Sequence, residues 1–315
     1  MFKRWFSLFW RNNKEKIKQI AKLIGFIILI SVIASMIFSR LNTTGNNAEN
    51  VTTIYNPSKT IISGSNVSKK EYEKEENLVK TFVEYCNNQQ IQEAYNLLTN
   101  ECKEKMYPNI ETFKNNYYDV IFNQNRECNL QSWITEDNYN TYKVRFIEDI
   151  MSTGIYDGTE KYEDYITVVT KEDEKKLNIN GYIKTEEINK TTKTDEVEAQ
   201  ALNVDTYINY AVYKIKIKNI TDNDMLLDNL SSNYNNIKLI GSNNASYKLS
   251  NSNLSISKLK ISSNENKYIE LKFVKSYGSD VYGKSIQFGK AIKNYSEYKK
   301  EKENYNDFIE IKINL

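Results

Sequence analysis

Histidine is absent from this 315-residue chain. That removes the imidazole general base and every Ser-His-Asp or Cys-His route to an activated nucleophile. Most zinc, copper and non-haem iron sites go with it. The chain has only two prolines, ten glycines and three cysteines. Cys86, Cys102 and Cys128 are odd in number, scattered, and contain no CxxC pair. They make neither a disulfide framework nor a zinc ribbon. They read as small semi-buried residues, with a Cys86–Cys102 bridge left open if that region lies outside the cell. The formal net charge of +2 gives no overall reason to bind nucleic acid. Tyrosine (24) and asparagine (42) are abundant, which coding bias alone can produce.

Charge is unevenly placed. Residues 1–22 carry seven basic side chains against Glu15, a tail of +6 that leaves −4 for the rest. Residues 23–39, LIGFIILISVIASMIFS, follow as 17 uncharged residues between Lys22 and Arg40. As a helix they span about 25 Å, and Ile20, Ala21 and a snorkelling Lys22 extend the reach towards a ~30 Å hydrocarbon core. Basic residues before a first span favour the cytoplasmic side, so everything after Arg40 is expected outside. Phe2, Trp5, Phe6, Phe9 and Trp10 interleave with the tail charges, as in a segment lying on the inner leaflet. A cleaved signal peptide is the rival, but the basic region is long and no A-x-A site or lipobox cysteine follows. The lipid bilayer is therefore the first expected partner, and the expected location is the cell membrane. Residues 41–68, rich in Asn, Thr, Ser and Gly, read as a flexible linker.

Helical signals begin at Ser68. Ser68 and Glu71 form an S-x-x-E capping box, and Leu78, Val79, Phe82, Val83 and Cys86 recur on one helix face. Asn88 is expected to cap a second helix burying Ile91, Ala94, Tyr95 and Leu98, and Thr99 to start a short third turn. Asn109 then caps a helix whose apolar stripe is Ile110, Phe113, Tyr117, Val120 and Ile121. After Glu127 the period falls to two, giving four strands around Trp133, 142–146, 165–170 and LNINGYI at 177–183. TKTDEVEA at 192–199 reads as a linker. Beyond it Tyr213, Ile215 and Ile217 alternate with lysines, and 269–273 and 309–315 alternate likewise. A phase change between Leu254/Ile256 and Leu259/Ile261 predicts a bulge near Ser257. The expected architecture is α+β, with an N-terminal transmembrane helix, an α+β domain over 69–190 and an antiparallel β-sandwich over 197–315.

Few motifs carry chemistry. Residues 278–285, GSDVYGKS, satisfy G-x-x-x-x-G-K-S. A phosphate-binding loop must join a parallel strand to a helix, and here it would sit in a sandwich, so a β-turn is expected. Asp222 and Asp224 hint at a calcium loop, but Leu227 stands where glycine belongs at position 6 and Asn233 where glutamate belongs at position 12. Carboxylate acid–base chemistry would fall to Glu148, Asp149 or Asp164, all expected to be solvated near strand ends. Tyr142, Tyr165 and Trp133 are expected in the core or an interface. No catalytic, cofactor-binding or metal-binding residue is assigned, and no cofactor is implied.

LVKTFVEYCNNQQIQEAYNLLT, IETFKNNYYDVIF, DYITVV and KLNINGYI, in that order, resemble the nuclear transport factor 2-like fold over roughly residues 72–188. YAVYKIKIKNITD, NKYIELKF and the final IEIKINL look like immunoglobulin-like domains of envelope proteins in low-GC Gram-positive bacteria. An anchor followed by the first fold is similar to assembly scaffolds of conjugative type IV secretion machines. The resemblance implies a non-enzymatic envelope protein, with envelope or secretion-machinery proteins as partners and homo-oligomerisation left open. The alternatives are an extracytoplasmic ligand binder or sensor using the cone cavity of the first domain, and an enzyme using carboxylates in that cone.

Overall fold

A computed structural model describes residues 60–61, 66–147, 162–230, 236–250, 254–278 and 282–315. The basic tail, the apolar run 23–39 and nearly all of the linker 41–68 lie outside the described residues, as do Glu148 and Asp149. Among the described residues no helix is long and apolar enough to cross a membrane. The fold is α+β with mostly antiparallel sheets, and two large apolar cores define two lobes within one compact unit that begins at Asn56.

The first lobe starts with α1 (Lys69–Asn87), capped by the Ser68 side chain accepting from the Glu71 N–H at 3.2 Å. Its buried stripe is Val79, Phe82, Val83 and Cys86, joined by Tyr72 and the fully buried Glu75. Helices α2 (Ile91–Asn96) and α3 (Asn100–Met106) follow. Asn88 closes α1 instead of capping α2, which begins after Gln90 without a side-chain cap. Thr99 does cap α3. Helix α4 (Ile110–Phe113), capped by Asn109, runs into a π-helical turn (Lys114–Tyr118) and a last α turn (Asp119–Ile121). The wider π turn shifts the phase of the stripe. Tyr118 is therefore buried, whereas Val120, expected inside, is 50% exposed.

The helices cover an antiparallel meander of β1 (Glu127–Glu136), β2 (Tyr139–Ile147), β3 (Tyr162–Lys171) and β4 (Glu174–Asn178), in that order across the sheet. The run LNINGYI is not one strand. Asn180 and Gly181 both take positive φ (58° and 70°), which ends β4 and redirects the chain. Strand β5 (Tyr182–Lys193) then leaves the first lobe and becomes an edge of the second.

TKTDEVEA is likewise not a linker. It holds the facing ends and the turn of a hairpin between β5 and β6 (Val197–Tyr207). With β7 (Tyr210–Asn219) and β12 (Asn266–Val274) these form a four-stranded sheet ordered β12-β7-β6-β5. The facing sheet runs β10 (Ser246–Lys248), β9 (Ile237–Gly241), β13 (Gly283–Ile292), β8 (Met225–Leu226) and β11 (Lys260–Ile261), with β14 (Phe308–Asn314) paired to β13. Ile215, Ile217, Ile269, Leu271 and Phe273 from one sheet meet Leu239, Ile286, Phe288, Ile311 and Ile313 from the other in one core. The phase change near Ser257 is a helical turn, α5 (Ile256–Leu259), capped by Ser255, and not a bulge. Helix α6 (Tyr295–Lys300) sits before β14.

The lobes are joined by polar and aromatic contacts. Lys105 of α3 donates to both Asp205 oxygens at 2.7 and 2.8 Å, and Thr185 donates to Asp205 at 2.6 Å. Tyr182 and Tyr207 have ring centroids 5.4 Å apart, and Tyr207 stacks on Tyr210 at 4.3 Å.

Candidate functional site

The space between the helices and the first sheet is where a ligand or a catalytic carboxylate would sit. Here it is filled by the chain's own rings. Phe82 lies 6.1–6.4 Å from Phe113, Tyr117 and Phe122, Tyr107 lies 5.6 Å from Phe113, and Phe122 lies 5.5 Å from Phe146. These six side chains are all buried, and offset and edge-to-face rings at such spacings are ordinary core packing.

Asp164 is inside this packing, not on the solvated surface expected of it. Its carboxylate accepts the Tyr117 hydroxyl at 2.7 Å, the Asn180 N–H at 2.9 Å and the Tyr165 N–H at 2.6 Å. Burial pushes its pKa up to about 6, against the pull of those donors. Burial and the neighbouring carboxylate together hold the Tyr117 phenol well above its usual range. The Asn180 N–H belongs to the turn that hands β4 over to β5, so Asp164 ties β3 to the junction between the lobes. The buried Asp–Tyr pair has an acid–base character, but its partners are engaged with each other and with backbone N–H groups.

Sequence reasoning missed a second buried carboxylate. Glu75, fully buried on α1, accepts from the Asn140 side chain at 3.0 and 3.1 Å, from the Lys175 ammonium at 2.7 Å, and from the Tyr142 hydroxyl. Burial works against the Lys175 charge, yet the bonds from Glu71 and Glu75 outweigh it and raise its pKa. Glu71 thus turns its carboxylate to Lys175. The only signal in the sequence was a glutamate on the apolar face of α1, three residues after Tyr72 and four before Val79. Tyr142 is in the core as expected, and Trp133 packs edge-on to Tyr165 at 5.3 Å.

The remaining motifs resolve locally. Gly283, Lys284 and Ser285 of GSDVYGKS belong to antiparallel strand β13, so the helix that a phosphate loop needs is not there. Asp224 pairs with Lys260 at 2.6 Å, and no group of three or more metal-ligating side chains occurs among the described residues. The three cysteines are free and buried. Burial raises all three thiols, Cys102 to about 12 and Cys128 to about 11.

One surface is distinctive. On the outer face of the β12-β7-β6-β5 sheet, Lys214, Lys216 and Lys218 of β7 stand opposite Glu270, Tyr268 and Asn266 of β12. Tyr268 is 69% exposed, and the Lys272 ammonium sits 3.6 Å from the Tyr210 ring centroid.

No family model matches the chain, and no curated protein matches it. A crystal structure of a conserved hypothetical protein from Bacillus anthracis is similar over 33% of this chain and 89% of its own, with 19% identity and a TM-score of 0.25. A likeness at that score carries no argument about fold or function.

Proposed function

We propose that the chain is a single-pass membrane protein without catalysis, whose extracytoplasmic lobes bind other proteins of the bacterial envelope, with secretion or conjugation machinery as the setting. The observation that carries this is the uncharged run 23–39 behind a +6 tail, which orients residues 41–315 outward. On this reading the first lobe is a nuclear transport factor 2-like cone and the second an immunoglobulin-like sandwich. The helix-covered meander supports the first, and two antiparallel sheets about one core support the second. Aromatic rings occupy the interior that a cone-bound ligand would need, which favours interaction through outer faces. The sheet face that exposes Tyr268 is the natural candidate, because exposed aromatic side chains are enriched at protein interfaces.

Two measurements test it. An alkaline phosphatase fused after Leu315 is expected to be active, and a cytoplasm-dependent reporter there to be silent; the reverse pattern overturns the orientation. A photo-crosslinker at Tyr268 in living cells is expected to trap a discrete set of envelope proteins. Crosslinks only to lipid or cytoplasmic proteins would refute the role.

A further inference from the structure

A cavity of about 510 Å³ opens beside the junction of the lobes, lined in part by Ile188, Val204, Ala211 and Tyr213. Most of its charged lining is engaged: Glu187 accepts from the Asn189 side-chain amide and Lys190 donates to the Leu315 oxygen. Glu136 of the first lobe accepts the Tyr277 hydroxyl at 2.6 Å and pairs with Lys184 at 3.4 Å, and Lys184 also pairs with Glu186 at 3.3 Å. Lys275 differs. It lines the same cavity, is half-buried, and has no ion-pair partner among the described residues; its ammonium lies 6.0 Å from the Tyr247 ring centroid. Its place is fixed by the backbone, because the Tyr277 N–H donates to the Ile208 carbonyl at 2.8 Å and the Ile208 N–H to the Gly181 carbonyl at 2.9 Å. Burial lowers its pKa, and the nearby Glu136 and Glu186 only partly offset that.

A partly desolvated ammonium held in no direct ion pair gains from a bound anion, and the cavity falls in the size range of small-molecule sites. One lysine offers a single point charge, not the bidentate fork of arginine. Glu136, Glu186 and Glu187 in the lining disfavour a dianion, and the apolar wall of Ile188, Val204 and Ala211 favours a hydrocarbon body. We propose that this cavity binds a small monocarboxylate with an apolar body, its carboxylate on Lys275 and its body against Ile188, Val204 and Ala211.

The test uses the full chain in nanodiscs of zwitterionic lipid, titrated calorimetrically with hexanoate, hexan-1-ol and hexyl phosphate, with empty nanodiscs subtracted. Hexanoate is expected to bind saturably and at least tenfold more tightly than the other two. Lys275→Gln is expected to weaken hexanoate at least tenfold, Lys275→Arg to retain most of it, and Lys272→Gln, outside the cavity, to change nothing. Should Lys275→Gln fail to fold, hexanoate-induced methyl shifts in the wild type decide, and they are expected at Ile188, Val204 and Ala211. Unsaturable hexanoate, equal or tighter binding of the alcohol or the phosphate, full binding by a folded Lys275→Gln, or shifts confined to other methyls would each overturn the proposal.

Discussion

Replacing Asp164 by asparagine isolates the energetics of the buried carboxylate. The folded protein holds the Asp164 proton with a pKa of about 6, against an ordinary value of 3.8. A group whose folded pKa is raised binds its proton more tightly in the folded state. Its contribution is therefore complete below about pH 4, the unfolded pKa, and is lost as pH rises through about 6. A gap of about two pK units corresponds to roughly 3 kcal/mol. The asparagine variant has no proton to bind there, so the difference in unfolding free energy, wild type minus variant, should fall by roughly 2.5 kcal/mol between pH 4 and pH 7 and then level off. Subtraction cancels the other titrating groups. Asparagine also turns an amide nitrogen towards donors that the carboxylate satisfied, which shifts the whole curve by about 1–3 kcal/mol but not its shape. The assay is urea unfolding of a fragment starting at Asn56, followed by tryptophan fluorescence from pH 4 to 8. A carboxylate accepting several N–H and O–H bonds can also be driven below its ordinary pKa. If the difference curve is flat, or rises with pH, the donors outweigh burial and the reasoning is wrong.

Other perturbations follow from the same packing. Glu75→Ala strands Lys175, Asn140 and Tyr142 around a buried void and should cost about 3–5 kcal/mol, lowering Tm by several degrees; a thermal scan within one degree of wild type would show the network to be dispensable. A Cβ at Gly283 would lie 2.3 Å from the Tyr213 hydroxyl and 3.0 Å from a Leu315 methyl. Gly283→Ala should therefore destabilise by about 1–3 kcal/mol, with Tyr213→Phe restoring part of it in the double variant; additive losses would rule out that contact as the cause. The buried thiols of Cys86, Cys102 and Cys128 should resist a maleimide in the native protein and react only in urea, so rapid native labelling would contradict their burial.

Legibility tracked the range of the interactions. The stripe of α1, the caps at Ser68, Thr99 and Asn109, and the alternation of β7, β12 and β14 are set by neighbours within a few residues, so periodicity showed them. Val120 escaped because a π turn changes the helical phase without a distinctive composition. The false linker at 192–199 escaped because polar, charged residues suit a solvent-facing hairpin end as well as a connection. Asp164 read as a solvated acid and Glu75 drew no reading at all, because their partners Tyr117 and Lys175 lie 47 and 100 residues away in the chain.

The sequence by itself determined the excluded chemistries, the apolar run behind a basic tail, and the order of helices followed by strands, since composition and short-period patterning carry those. Only the tertiary structure decided that β5 crosses from one lobe into the other, that aromatic rings fill the space between the helices and the first sheet, and that Lys275 lines a cavity without a direct ion pair. Each of these depends on which distant segments pack together, and burial and charge pairing acquire their energies only once that packing has displaced water.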